Sequence, residues 1–519
     1  MSRHRRLLSA LGAMTILCTA VCLPMAGCQA PEPQPGVTET ETLPDLADDR
    51  TLTPTDTFRD RLDAAFADAT PTDPSDLTWE ATDGGVRITG YVGRSSVVVL
   101  PDRIDGQHVV SIADGAFTPN ETGDETGDET DDETDDETDA ASETADAAED
   151  ADGQAVGQAV GQDVGLTALY IPDTVTFIGH GALKGCNELT TLRTPVAVAP
   201  GTVADANGQM QYSFGALFGA DSYLGNAVAV PRTLTTLLLG EGLTTVPAYA
   251  FYACRYLVAV DFPSTLTTVE DFAFYDSEAL AYADLSDTAL TSLGECAFAE
   301  CDSLLRLDLP STVTSVGQGA VKGCAAIEDM ALPFIGGTPD ENTYLGYLFG
   351  ARDYTFSEGY LPISLINVTL LPTGHDLPDN AFFGCSYLRS VVIPDGVKAV
   401  GHRAFYGCAR LTSVTLPDSV VSVGNEAFAG CVRLQQVDLG GGVTDLGVQA
   451  FMGCVTLTDV TLPSTVTAIP SSCFAGCVSL QTVTAPGVTA ADHVGAQAYR
   501  GCTALVDAPF IPVESESET

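Results

Sequence analysis

The sequence predicts a solenoid, a stack of short coils built on parallel β-strands with ladders of side chains for a core. Gly-Cys-x-x-Leu recurs at Cys385, Cys408, Cys431, Cys454 and Cys477 at a constant step of 23 residues. Between those cysteines the apolar positions return in one order, as in Leu411, Val414, Leu416, Pro417, Val420, Val423, Ala427 and Phe428. A unit this short cannot bury its own apolar face, so it must stack on its neighbours. At 519 residues the chain outgrows one compact core, whereas a stack grows by addition.

Each coil divides into parts with separate physical roles. Leu-x-x-Val-x-Leu-Pro is a strand with alternating apolar positions. The proline that follows (Pro263, Pro310, Pro394, Pro417, Pro463) has no N–H to donate and ends the ladder. A second apolar pair, such as Val420 and Val423, lines the next wall. Ala-Phe then recurs at 116–117, 250–251, 273–274, 297–298, 381–382, 404–405, 427–428 and 450–451, a small residue for a tight bend and a large one for the centre. Burying each Phe is worth roughly 1.5–3 kcal/mol.

The cysteine column comprises Cys186, Cys254, Cys301, Cys324, Cys385, Cys408, Cys431, Cys454, Cys477 and Cys502, with Ser277 in one coil. Equivalent residues of adjacent coils should lie about 4.8 Å apart with parallel side chains. A disulfide needs Cβ atoms nearer ~3.8 Å and turned toward each other. The column is therefore expected to be a ladder of small, buried, free thiols, in which Ser277 swaps size for size. One cysteine per coil without a histidine beside it is not a tetrahedral metal set, so neither metal nor cofactor is expected.

Taken from the start, residues 1–27 form an export leader: Arg3, Arg5 and Arg6 precede an apolar run too short for a membrane span. Met25-Ala26-Gly27-Cys28 resembles a bacterial lipobox, in which Cys28 would be acylated and anchor the chain to a membrane; plain secretion with cleavage nearby is the alternative. Residues 28–76, rich in Pro, Thr, Asp and Glu, read as a disordered tether, with a short helix expected between Phe58 and Ala69. Residues 77–117 hold a hairpin with an Asp-Gly-Gly turn and the first repeat; Trp79 and Tyr91 are expected to plug the open end of the stack. Residues 118–165 break the pattern with Asp-Glu-Thr triplets at 124–126, 128–130, 132–134 and 136–138. Like-charge repulsion should keep that insertion extended and disordered. Its carboxylates could capture calcium weakly, although no Asp-x-Asp-x-Asp-Gly loop is present. Repeats occupy 166–508, interrupted at about 196–230 and 334–362 by two insertions sharing Leu-Phe-Gly-Ala-x-x-Tyr, read as longer coils or aromatic flaps. Residues 509–519 are an acidic tail.

Charge narrows the function further. There are 70 acidic against 22 basic residues, a net charge of −48. Nucleic acid is excluded, because phosphate binding needs clustered Lys and Arg, and direct docking on an anionic membrane is disfavoured.

The unit Ala-Phe-x-Gly-Cys-x-x-Leu-x-x-Val-x-Leu-Pro-x-x-Val-x-x-Ile/Val-Gly resembles the BspA-type (Treponema pallidum-type) leucine-rich repeat. The resemblance covers nearly everything from Leu77 to Asp507. It implies a right-handed leucine-rich-repeat solenoid on a bacterial surface, engaged in adhesion or in binding host or neighbouring-cell proteins. It brings no shared catalytic residues.

The residues themselves also point away from an enzyme. The six histidines are scattered, and there is no Gly-x-Ser-x-Gly elbow, phosphate-binding loop or His-Glu-x-x-His. A solenoid's concave sheet is its usual binding surface. The outward strand position offers Arg193, Asp261, Asp284, Asp308 and Asp438 as candidate contacts. Asp261, Asp284 and Asp308 fall in successive coils and should form an acidic stripe, which solvent tolerates or a basic partner or cation neutralises. Two functions are compatible with this: a lipid-anchored adhesion or protein-binding module, or a cell-envelope scaffold whose acidic tract is a hydrated brush.

Overall fold

The computed structural model describes Phe66 and residues 69–119, 165–204 and 210–510. The expected leader, Cys28, most of the tether, nearly all of the acidic insertion and the tail from 511 lie outside the described residues.

The strands expected from Leu-x-x-Val-x-Leu pair side by side in parallel. Val97–Val99, Ala168–Tyr170, Thr191–Thr194, Thr236–Leu239, Ala259–Asp261 and Tyr282–Asp284 form one sheet, and Arg306–Asp308, Asp329–Leu332, Asn367–Leu370 and Ser390–Val392 form the next. The wall goes on through Ser413–Thr415, Gln436–Asp438, Asp459–Thr461 and Thr482–Thr484. A narrower second wall joins two-residue strands such as Thr245–Val246, Thr268–Val269, Ser292–Leu293 and Ser315–Val316. The chain is therefore a leucine-rich-repeat-like solenoid, mostly short parallel strands and tight turns.

The phenylalanines line up in one row. Phe251 and Phe274 are 4.8 Å apart, Phe274 and Phe298 5.0 Å, and Phe405 and Phe428 5.0 Å, with ring planes within 9° of parallel. All five rings are fully buried. Between Phe298 and Phe382 stand Val321, Leu345 and Leu348, also buried. The thiols follow the same register and do more than fill space. Cys431 Sγ donates to the Phe405 carbonyl at 3.2 Å, and Cys408, Cys454 and Cys477 do the same to Phe382, Phe428 and Phe451. Ser277 Oγ donates to the Phe251 carbonyl at 3.0 Å, so the serine preserves the hydrogen bond as well as the size.

Glycine has a different task at two columns. At Gly424 a Cβ would stand 2.6 Å from the carbonyl carbon of Gly401 in the previous coil, so only glycine allows the coils to approach there. At Gly430 a Cβ would make only an ordinary contact with Gly407 at 3.6 Å, but φ is 75°, the left-handed region.

The hairpin forms as expected, Leu77–Thr82 against Gly85–Tyr91. Its second strand pairs with Gln107–Ile112 and so extends the second wall. One expectation fails. Trp79 is 36% exposed, and the end of the stack is covered by Leu77, Val86 and Ile88 instead. Leu77–Thr82 is the edge strand of its sheet, only Leu77 in it is buried, and a register shift falls between Thr78 and Trp79. The unpaired residue there is Thr89 of the inner strand, whose Val86, Ile88 and Gly90 still alternate inward, while beyond Thr78 the outer strand is exposed on both faces. Tyr91 is half-buried beside Phe117, with ring centroids 6.3 Å apart. Ordered structure also begins before Leu77: Thr72 N–H donates to the Val99 carbonyl at 2.8 Å, and Thr72 Oγ1 accepts from Val99 N–H.

The two insertions are longer coils, not detached flaps. Gly215–Phe218 and Leu345–Phe349 are 3₁₀ turns, each closed by a left-handed glycine, Gly219 and Gly350. Leu217 and Leu348 meet the preceding coil through carbonyls that accept from Leu183 and Val321 N–H, while Phe214 and Leu345 donate to Ala250 and Ala381 in the following one. The correspondence runs further. Thr233 Oγ1 donates to the carbonyls of Asn187 and Leu189, and Ser364 Oγ donates to those of Ala325 and Ile327. The strands starting at Ala168, Thr191, Thr236, Ala259 and Tyr282 match those starting at Arg306, Asp329, Asn367, Ser390 and Ser413, with the insertion after the second strand each time. The solenoid thus contains two tandem copies of one module.

Candidate functional site

The strand wall presents one outward column whose register is set by the pairing. Tyr170 lies beside Arg193, Arg193 beside Leu238, Leu238 beside Asp261, and Asp261 beside Asp284. Farther on, Asp308 lies beside Ala331 and Thr415 beside Asp438.

The candidate residues meet different fates on this wall. Arg193 is locked in place: its guanidinium donates to the Ile171 carbonyl at 2.7 Å, pairs with Asp173 at 2.6 Å and lies 4.4 Å over the Tyr170 ring. Asp284 is exposed, and its Oδ1 accepts from Ser286 N–H at 2.9 Å. Asp308 is half-buried and paired with Arg306, yet its Oδ1 has no hydrogen-bond partner. Burial pushes the Asp308 carboxyl above its ordinary value, with Asp284 and Asp329 adding to the rise and Arg306 opposing it. Asp438 stands apart; its Oδ1 accepts from Gly440 N–H at 3.0 Å within its own turn. The wall therefore gathers Asp261, Asp284 and Asp308 and leaves Arg193 and Asp438 out.

Two further residues belong to this patch and were not singled out from the sequence. Arg306 and Asp329 sit two residues before Asp308 and Ala331, directly beside each other in register. Asn367 Nδ2 donates to Asp329 Oδ1 at 2.7 Å. The available signal was the alternation itself, since the residue two before an outward position also faces outward.

The histidines of the repeat position after the second wall serve the stack. His402 Nδ1 accepts from Asn425 N–H at 3.0 Å, and His180 Nε2 is 3.1 Å from the Ala220 carbonyl oxygen. Among the described residues, no group of three or more His, Cys, Asp or Glu side chains is arranged to hold a metal ion. Nor is any described helix long and apolar enough to cross a membrane. A recess under the second insertion, lined by Leu361, Leu365, Gly384 and Leu388, holds ≈ 10 Å³, room for about one water.

Comparison with known proteins agrees with this geometry. The model of the BspA-type leucine-rich repeat region matches in six copies over residues 157–199, 230–338 and 375–506. The chain belongs to this family. The stretches it leaves unmatched include most of the two insertions. Among solved structures, this BspA-type protein is similar to a leucine-rich repeat protein from Bacteroides ovatus (21% identity, covering 76% of this chain and 95% of that one, TM-score 0.32). It is also similar to a leucine-rich cell surface protein from Faecalibacterium prausnitzii (22%, 84% and 94%, TM-score 0.27). A third is the leucine-rich repeat protein of T. pallidum (17%, 70% and 91%, TM-score 0.22). No curated protein matches the sequence.

Proposed function

We propose that this BspA-type protein is a bacterial surface lipoprotein, anchored through Cys28, that binds extracellular or cell-surface proteins through the strand wall and has no catalytic role. The observation that carries the reading is the register of Asp261, Asp284 and Asp308 with Arg306 and Asp329 on one outward wall. None of these side chains belongs to the buried core. Like charges at neighbouring strand positions repel, so a cationic surface on a partner is favoured along this stretch of the wall. The lipobox-like Met25-Ala26-Gly27-Cys28 supports the anchor.

The test uses the full chain with Asp261, Asp284 and Asp308 each changed to lysine. Binding to a panel of extracellular-matrix and neighbouring-cell proteins should be lost while the melting temperature is kept. Unchanged binding would instead favour a spacer that has no ligand on this wall. Cys28→Ala should abolish incorporation of labelled palmitate and release the chain into the medium.

A further inference from the structure

On the bend, away from the strand wall, the first module carries a surface cluster of aromatic rings. Tyr223 of the insertion stacks on Tyr249 at 4.6 Å and meets Tyr252 edge-on at 5.4 Å. Tyr249 stacks on Phe272 of the next coil at 5.2 Å, and Tyr252 on Tyr275 at 5.4 Å. Both rows stop there, because the next coil has Cys296 and Ala299 at those columns.

Beyond the last rings stand Asp276, Glu278, Glu300 and Asp302. Arg255 reaches Asp276 at 2.8 Å and Glu278 at 3.4 Å. Lys322 is the other cation acting on the group, through Glu300. Four carboxylates thus share two cations. Burial raises Glu278, Glu300 and Asp302 above the ordinary carboxylate range, with neighbouring carboxylates adding to each.

The second module provides an internal reference. Its matching rings are Tyr354, Phe383 and Tyr406, with Phe383 and Tyr406 stacked at 5.0 Å. Where the first module has the four carboxylates, the second has Gly407, Ala409, Gly430 and Val432. Tyr249 and Phe272 are matched by Asn380 and Arg403. The fold is complete without these acidic and aromatic residues, so the solenoid does not require them.

We propose that this bend of the first module is a docking surface for a lysine- or arginine-bearing segment of a partner protein. Cationic side chains would lie over the face of Tyr275 that Tyr252 leaves uncovered, and the carboxylates beyond would neutralise them. Charge complementarity selects that occupant: an excess of carboxylates at the rim, on a chain of net charge −48, repels an acidic one. The surface is separate from the strand wall and does not depend on the strand wall being a binding site.

The test titrates the full chain with a fluorescent oligoarginine peptide at physiological salt. One variant carries Asp276→Gly, Glu278→Ala, Glu300→Gly and Asp302→Val, the residues of the second module. Glycine suits the left-handed backbone at 276 and 300 (φ 61° and 59°), so this variant should melt no lower than the wild type. A control removes equal charge elsewhere, with Asp287→Asn, Asp340→Asn, Glu341→Gln and Asp395→Asn. The bend variant should bind about tenfold more weakly or worse, while the control and the strand-wall lysine variant shift by less than about threefold. Tyr275→Leu should also weaken binding. Equal losses in bend variant and control would reduce the effect to diffuse attraction and overturn the proposal, as would an unchanged bend variant. Sedimentation in which the wild type dimerises and the bend variant does not would place a second copy of the chain there instead.

Discussion

Replacing Cys431 separates two explanations of the thiol column. If the column needs only a small apolar side chain, Cys431→Ala should be milder than Cys431→Ser. The structure says otherwise. Cys431 is fully buried, and its Sγ donates to the Phe405 carbonyl at 3.2 Å. That oxygen also accepts from Cys408 N–H at 3.1 Å, so it is not stranded when the thiol goes. Removing the sulfur forfeits about 0.8 kcal/mol of apolar burial and about 0.5–1 kcal/mol of the weak hydrogen bond. Cys431→Ala should therefore cost about 1.3–1.8 kcal/mol. Cys431→Ser keeps a donor in the geometry that Ser277 already uses toward Phe251 and should cost about 1 kcal/mol or less. Urea unfolding of the two variants beside wild type, read as midpoints at equal slope, decides it. A serine variant as unstable as the alanine variant would refute the donor role. The same burial pushes the Cys431 thiol up to about 12, so iodoacetamide should label it only after unfolding.

Other outcomes follow from the same geometry. Phe428→Ala removes a fully buried ring stacked at 5.0 Å and 5.3 Å on its neighbours, and should cost about 4 kcal/mol in the same urea assay. Gly424→Ala should destabilise more than Gly430→Ala, because the first meets backbone at 2.6 Å and the second only adds left-handed strain of about 1 kcal/mol. For Asp308, the folded-state carboxyl lies above the ordinary value of 3.8, chiefly through burial. The folded chain then binds that proton more tightly than the unfolded one, so the stability it contributes is present in acid and is lost as pH rises through the raised value. Asp308→Asn should flatten that decline and raise the melting temperature at neutral pH. Trp79, the single tryptophan, should emit at long wavelength and be quenched by acrylamide in the native state.

The stack was legible in the sequence because every core position is stated many times over. Leu411, Val414, Leu416, Val420, Val423 and Phe428 are all buried as their period requires. What escaped depends on relations the period does not encode. Trp79 was misplaced because its strand is the outermost of the sheet, exposed on both faces, and has no second copy to reveal that. Thr72 joins the wall through backbone bonds that its Pro- and Asp-rich surroundings conceal. The donor role of the thiols was hidden because each acceptor is a carbonyl of the preceding coil. The candidate column was legible in part: its register could be counted, but Arg193 is held by Tyr170 of the neighbouring strand and by Asp173, which lies outside the strand motif that defined the column.

A repeat solenoid lets one test whether a residue serves the fold, because the fold is stated again one coil away. By that measure Asp276 and Glu300 are informative. Their column is glycine at Gly407, Gly430, Gly453 and Gly476, and those glycines all have positive φ. Placing acidic side chains at φ 61° and 59° works against the backbone preference and adds repulsion in a chain already strongly acidic. The backbone therefore disfavours both residues, and Arg255 and Lys322 offset only part of the local negative charge. Their position at the end of two aromatic rows, in one module and not in its copy, ties them to what the surface meets and not to how the coils stack.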